Sequence, residues 1–257
     1  AGAAAIRRAP PLAGGRKPWQ AHARPFDAQD KRPRVALIVV GLGLNSAVTE
    51  SAIRELPGGV TLAFSPYADN LERWIDAARA TAHEVLLALP MEPLSFPLQD
   101  PGPHTLLTTL SPRENLDRLA WALGRAGGYA GVIDTMGSRF VASLKDLAPV
   151  LGAINERGLL FVDSGSAPDS VVARAAAQIG LPWTVSARTI DDRANRSAID
   201  ASLGELERLA RQQGRAVGIG TPLPITLARI AEWAAKLEER GVVLAPASAT
   251  IRENAAG

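Results

Sequence analysis

Four acidic residues stand where an apolar run gives way to polar sequence: Glu92 in Pro90-Met91-Glu92-Pro93, Asp134 before Thr135-Met136-Gly137-Ser138-Arg139, Asp163 before Ser164, and Asp191 before Asp192. Carboxylates gathered at one place can bind a hard divalent cation through oxygen. Two of them can instead divide into an acid and a base across a glycosidic bond, and the distance between them then selects the geometry. Spacing along the chain does not supply that distance, so Glu92, Asp134, Asp163 and Asp191 are candidate catalytic groups without assigned roles. Asp163 and Ser164 fit a helix cap as well as a site. Glu92 lies between prolines with no helix directly after it to cap, which favours a site.

Hydroxyls accompany the acids. Ser164 and Ser248 lack a histidine base in evidence, and no Gly-x-Ser-x-Gly elbow is present, so serine nucleophilic chemistry is disfavoured. The three histidines are His22, His83 and His104. His83 precedes an apolar run rather than following it and is expected at the opposite end from the acids, in a structural role. His104 lies in a long loop and His22 in a proline-rich stretch. Cysteine is absent, which excludes disulfides, thiolate metal sites and a cysteine nucleophile. The turn Gly41-Leu42-Gly43, after the run Val35–Val40, suggests a phosphate cradle opening onto a helix that Ser46 would cap. It fails that test, because the third glycine of GxGxxG and the lysine of GxxxxGK[ST] are both missing.

The elements that must position these residues follow from periodicity. Strand-like runs occur at Val35–Val40, Val60–Phe64, Val85–Leu89, Tyr129–Ile133, Leu159–Val162, Trp183–Val185, Val217–Ile219 and Val242–Leu244. Helical segments are expected at Ser46–Leu56, Asn70–Ala80, Pro112–Arg125, Leu144–Glu156, Pro168–Ile179, Ala198–Gln213 and Pro224–Arg240, with Ser111-Pro112 as a cap and first-turn proline. This alternation predicts a parallel sheet covered by helices, and so many units favour a closed barrel over an open sheet. In such a barrel the strands' carboxyl ends form one rim. Gly41, Ser65-Pro66-Tyr67, Glu92, Asp134–Arg139, Asp163-Ser164, Asp191-Asp192, Thr221 and Ala247-Ser248 are all expected there. A rim of acids, hydroxyls and one arginine suits a hydroxyl-rich ligand such as a sugar chain. Tyr67, Phe96 and Trp183 are candidate stacking platforms, Trp183 being better read as core, and Arg139 would donate hydrogen bonds to glycan carboxylates or hydroxyls.

Residues 1–33, with Pro10, Pro11, Pro18, Pro25 and Pro33, are expected to be a flexible or extended leader that tethers residues 34–252, with 253–257 as a tail. The 257 residues carry 28 basic and 26 acidic side chains, interleaved, and 47% are apolar. That balance builds a substantial core and gives no nucleic-acid footprint. No run of 18 apolar residues exists to span a membrane. The numbering opens without Met, and a targeting segment is expected to precede it.

The stretches "LPGGVTLAFSPYADNLERWIDAARATAHEVLLALPMEP", "DPGPHTLLTTLSPRENLDRLAWAL", "GYAGVIDTMGSRF", "RGLLFVDSGSAPDS" and "GIGTPLPITLARIAEW", in this order, resemble the divergent polysaccharide deacetylases, relatives of the NodB-type carbohydrate esterases. The resemblance implies an α/β fold, a single distorted (β/α)7–8 barrel of the NodB type. It also implies a periplasmic or cell-envelope setting and a polysaccharide or peptidoglycan-type partner. Active NodB-type members remove acetyl groups with a divalent metal held by one Asp and two His. The chain departs from that pattern where the chemistry would occur. Val40 and Gly41 replace a pair of aspartates, Thr135 stands where some relatives have histidine, and Thr221 replaces the histidine of Gly-His-Pro. Glycine has no donor, and a threonine hydroxyl stays protonated and neutral, so no family-type zinc site is expected at Gly41, Thr135 and Thr221. The expected function is glycan binding by a catalytically degenerate barrel without cofactor, through Tyr67, Glu92, Arg139, Asp163, Ser164 and Thr221. The alternatives are a hydrolase with a relocated carboxylate and zinc site, and an envelope module that binds a protein partner.

Overall fold

The computed structural model describes residues 15–252. Strands β1 (Arg34–Leu42), β2 (Thr61–Phe64), β3 (Val85–Pro90), β4 (Gly131–Thr135), β5 (Leu160–Asp163), β6 (Trp183–Val185), β7 (Arg188–Thr189), β8 (Arg215–Gly220) and β9 (Val243–Leu244) form one sheet. All their pairings are parallel, and the path runs β6-β5-β4-β3-β2-β1-β8-β7 with β9 beside β1. The two ends of that path are consecutive in the chain. After β6, the Ser186 N–H donates to the Asp163 carbonyl of β5 at 2.9 Å, and the next N–H, of Ala187, donates to Val217 of β8 at 2.8 Å. One extended stretch thus crosses from one edge strand to the other and curls the sheet into a distorted (β/α) barrel.

Helices α2 (Ser46–Glu55), α3 (Leu71–Ala80), α4 (Pro112–Leu123), α5 (Leu144–Glu156), α6 (Val172–Ile179), α7 (Arg196–Gln213) and α8 (Pro224–Ala234) connect the strands, and α1 (Pro18–His22) precedes them. Strands covered on both faces read as continuous apolar runs, and β1 shows why. Val35, Leu37 and Val39 join the large cluster under the helices, while Ala36 and Ile38 join a smaller cluster inside the barrel. β4 and β5 approach closely at Gly131: a Cβ there would lie 2.4 Å from the carbonyl oxygen of its strand partner Leu160. The expected cap at Ser111 is present as a capping box with Glu114. At α2, however, Asn45 rather than Ser46 is the cap, its Oδ1 accepting the Val48 N–H at 3.1 Å.

The amino end of the barrel departs from expectation in two ways. The last strand does not add an eighth barrel member. β9 pairs with β1 only at Arg34 and Val35, which leaves the Ala247–Thr250 turn at the barrel base. Ala247 packs in the inner cluster and Ser248 donates from its N–H to Glu84 at 3.0 Å. Ser248 therefore lies at the opposite end from the rim where strand counting put it. The expected leader also divides. Residues 1–14 lie outside the described residues, as does the 253–257 tail, but residues 15–33 lie on the barrel base. Trp19 packs against the inner cluster, and its N–H donates to the Gly158 carbonyl at 3.0 Å. Proline had removed the periodicity that marks a core-facing element, yet the segment is attached.

Candidate ligand-binding mouth

At the carboxyl rim the four carboxylates are tied to neighbouring loops. Asp134 is buried on β4, and its two oxygens accept the Ser164 N–H and O–H, each at 2.6 Å. Burial, and then the charge of Asp163, raise the Asp134 carboxyl to about 7. Asp163 accepts the Gly165 N–H at 2.9 Å and the Ser170 hydroxyl at 2.6 Å. Asp191, just past β7, repeats the Asp134 device: one oxygen accepts the Thr221 N–H at 2.8 Å, the Thr221 hydroxyl at 2.5 Å and the Thr226 hydroxyl at 2.8 Å. In both cases a carboxylate fastens the residue 30 positions later, where another strand ends. That equal offset was readable in the sequence but meant nothing before the strands were placed side by side.

Glu92 is buried after β3 and shaped by three neighbours. It accepts the Thr108 N–H at 2.6 Å and hydroxyl at 2.7 Å, and Arg139 Nε lies 3.5 Å from its other oxygen. Its carbonyl receives the N–H groups of Arg139 and Phe140. Glu92 thus positions the loop that precedes α4 and the turn that follows β4. Arg139 remains partly exposed at the rim and also donates to the Leu94 carbonyl at 2.9 Å.

The aromatic candidates separate. Tyr67 is half-buried, its hydroxyl accepts the His104 N–H at 2.9 Å, and its ring centroid lies 5.3 Å from Trp121. A Cβ on Gly102 would come within 2.7 Å of that ring, so one face is covered by backbone. His104 itself is half-buried and packs against Trp121, with ring centroids 3.6 Å apart and planes tilted by 49°. Phe96 is half-buried in the loop after β3. Trp183 is core, at the amino end of β6. His83 is buried at the barrel base, its ring nitrogens facing the Val60 and Ile53 carbonyls, and burial lowers its pKa.

The positions where the resemblance expects the aspartate base and the metal donors are shaped otherwise. Val40 packs on the inner apolar cluster. Gly41 has φ +84° beside a break in the β1–β2 register, a bulge of the kind that re-aims a strand end. Gly43 follows at φ +93°, and a Cβ there would meet Ala68 at 2.5 Å. The glycines therefore serve a left-handed turn and a close contact. The Thr221 hydroxyl is donated to Asp191. The Thr135 hydroxyl is buried with no hydrogen-bond partner, as is Asp191 Oδ1. Among the described residues no three His, Cys, Asp or Glu side chains converge to hold a metal ion. The donor set does not fit the family's Asp-His-His centre.

A family model for divergent polysaccharide deacetylases matches residues 37–251. The chain belongs to that family. The uncharacterised protein YibQ of Escherichia coli K12 is 27% identical over 76% of this chain, and the match spans 60% of YibQ's own length. An uncharacterised Haemophilus influenzae protein is 24% identical over 76% of this chain and 69% of its own. The crystal structure of the uncharacterised protein ATU2773 from Agrobacterium tumefaciens C58 superposes with a TM-score of 0.90 at 36% identity, covering 93% of this chain and 97% of that one. Among the described residues no helix is long and apolar enough to cross a membrane.

Proposed function

We propose that the carboxyl-end mouth binds a polysaccharide of the cell envelope without hydrolysing it. One observation carries this reading: Val40 and Gly41 stand where the family resemblance expects an aspartate base and a metal-binding aspartate, Thr135 and Thr221 stand at the other expected ligand positions, and none of the four supplies a charged or strongly basic atom. Without such a cation, water is not acidified and an acetyl carbonyl is not polarised. What the mouth retains is hydrogen-bonding capacity suited to sugar hydroxyls. Ser164 is half-exposed and Thr221 exposed, and the Arg139 guanidinium stands at the rim. Asp134, Asp163 and Asp191 act behind them, holding the strand ends in place.

The test joins binding to turnover. Acetylated chito-oligosaccharides and peptidoglycan fragments are titrated by calorimetry, while acetate release and metal content are measured on the same protein. Saturable binding without acetate release is expected, with Arg139→Ala weakening it about fivefold to tenfold. Stoichiometric tightly held metal together with acetate release would overturn the reading, and so would failure of every glycan to bind. Restoring donors is informative at Val40→Asp and Thr221→His. Gly41→Asp carries an extra cost, because its φ of +84° disfavours any side chain.

A further inference from the structure

A second concavity lies at the other end of the barrel, away from the mouth. A cavity of about 450 Å³ opens between the ends of α2 and α8, a volume within the range of small-ligand pockets. Its walls are apolar at Leu56, Ala234 and Leu244, and polar at Arg24, Glu55 and Glu238. Both acids have an arginine near them: Glu55 lies 2.9 Å from Arg54, and Glu238 lies 3.8 Å from Arg32, whose closer partner is Asp30 at 2.7 Å. Arg24 forms no ion pair among the described residues, and its Nη1 is buried without a hydrogen-bond partner. Its main-chain N–H is held by Glu84 at 3.3 Å, and the wall is so near that a Cβ on Gly58 would lie 3.1 Å from Nη1.

A guanidinium nitrogen withdrawn from water without an acceptor is costly, and an anionic ligand oxygen removes that cost. The geometry points to a binding site for a carboxylate carried on a short apolar body, supplied either by the end of a peptide of small residues or by a free short-chain acid. The carboxylate would meet Arg24, and the apolar body would cover Leu56, Ala234 and Leu244. The site owes nothing to the glycan reading, and either can fail alone.

Calorimetric or NMR titration of the whole chain tests it, with N-acetyl-Ala-Ala and hexanoate set against N-acetyl-Ala-Ala-amide and hexanamide. At least one acid binds, and its amide binds about tenfold more weakly or worse. Arg24→Gln erases the difference between acid and amide. Ala234→Leu, which fills the cavity and leaves Arg24 in place, abolishes binding with the thermal melt largely kept. Binding of the peptide acid alone assigns a peptide end, and binding of hexanoate alone assigns a free acid; both support the site. Equal binding of acids and amides, binding that survives both variants, or no binding by either acid at about 10 mM overturns it.

Discussion

Asp134 is the residue whose environment makes the clearest demand. Its carboxyl is raised to about 7, first by burial and then by Asp163. A raised folded-state pKa means that the folded protein holds the proton over a range where the unfolded chain has released it. Stability is then greatest below about pH 4 as far as this group is concerned, falls between about pH 4 and 7, and is level above that. Asp134→Asn removes that slope, and its amide can still meet both Ser164 groups. Chemical denaturation at several pH values shows the fall in the parent protein and a flatter profile in the variant. Asp191→Ala acts differently, since it strands two hydroxyls and an N–H; a loss of about 2–4 kcal/mol is expected by urea denaturation. At this scale the sequence was informative about residue type and uninformative about commitment. It showed that acids and hydroxyls would gather at the strand ends, but pairings such as Asp134 with Ser164 and Asp191 with Thr221 depend on which strands are neighbours.

Elements were far more legible than pairings. The apolar runs located the strands because a strand covered on both faces needs them, and the Ser111-Pro112 cap fixed the start of α4. What escaped were short pieces with little pattern of their own: α1, β7 and the turn at Ala247–Thr250. Each is held by contacts with distant sequence, which local periodicity does not encode. β7 is two residues long and nevertheless completes the curl of the sheet. The contact between β4 and β5 carries a prediction of its own. A methyl group on Gly131 would press a main-chain oxygen at 2.4 Å, and main chain in a paired strand cannot swing aside as a flexible side chain does. Gly131→Ala is therefore expected to cost about 2 kcal/mol or more, lowering Tm by about 4–8 °C in calorimetry.

Across the whole molecule the barrel has two unlike ends. The carboxyl rim carries hydroxyls and Arg139, and most of the exposed large apolar side chains stand in its loops: Leu44, Leu94, Leu98, Met136 and Leu223. The base is covered by sequence that precedes β1 and sequence that follows β9. Trp19 and the Ala247–Thr250 turn both pack on the inner cluster there, and buried Glu84 accepts N–H groups from both Arg24 and Ser248. Trp19→Ala is expected to destabilise by about 1–2 kcal/mol, less than a fully enclosed tryptophan because the ring is only partly covered; a thermal melt measures it. Glu84 also settles how the protein can be handled. With Arg24 and Ser248 meeting at one carboxylate, a support, label or fused domain joined through either end of the described chain attaches beneath the barrel. The carboxyl rim, at the other end of the strands, then faces away from the attachment.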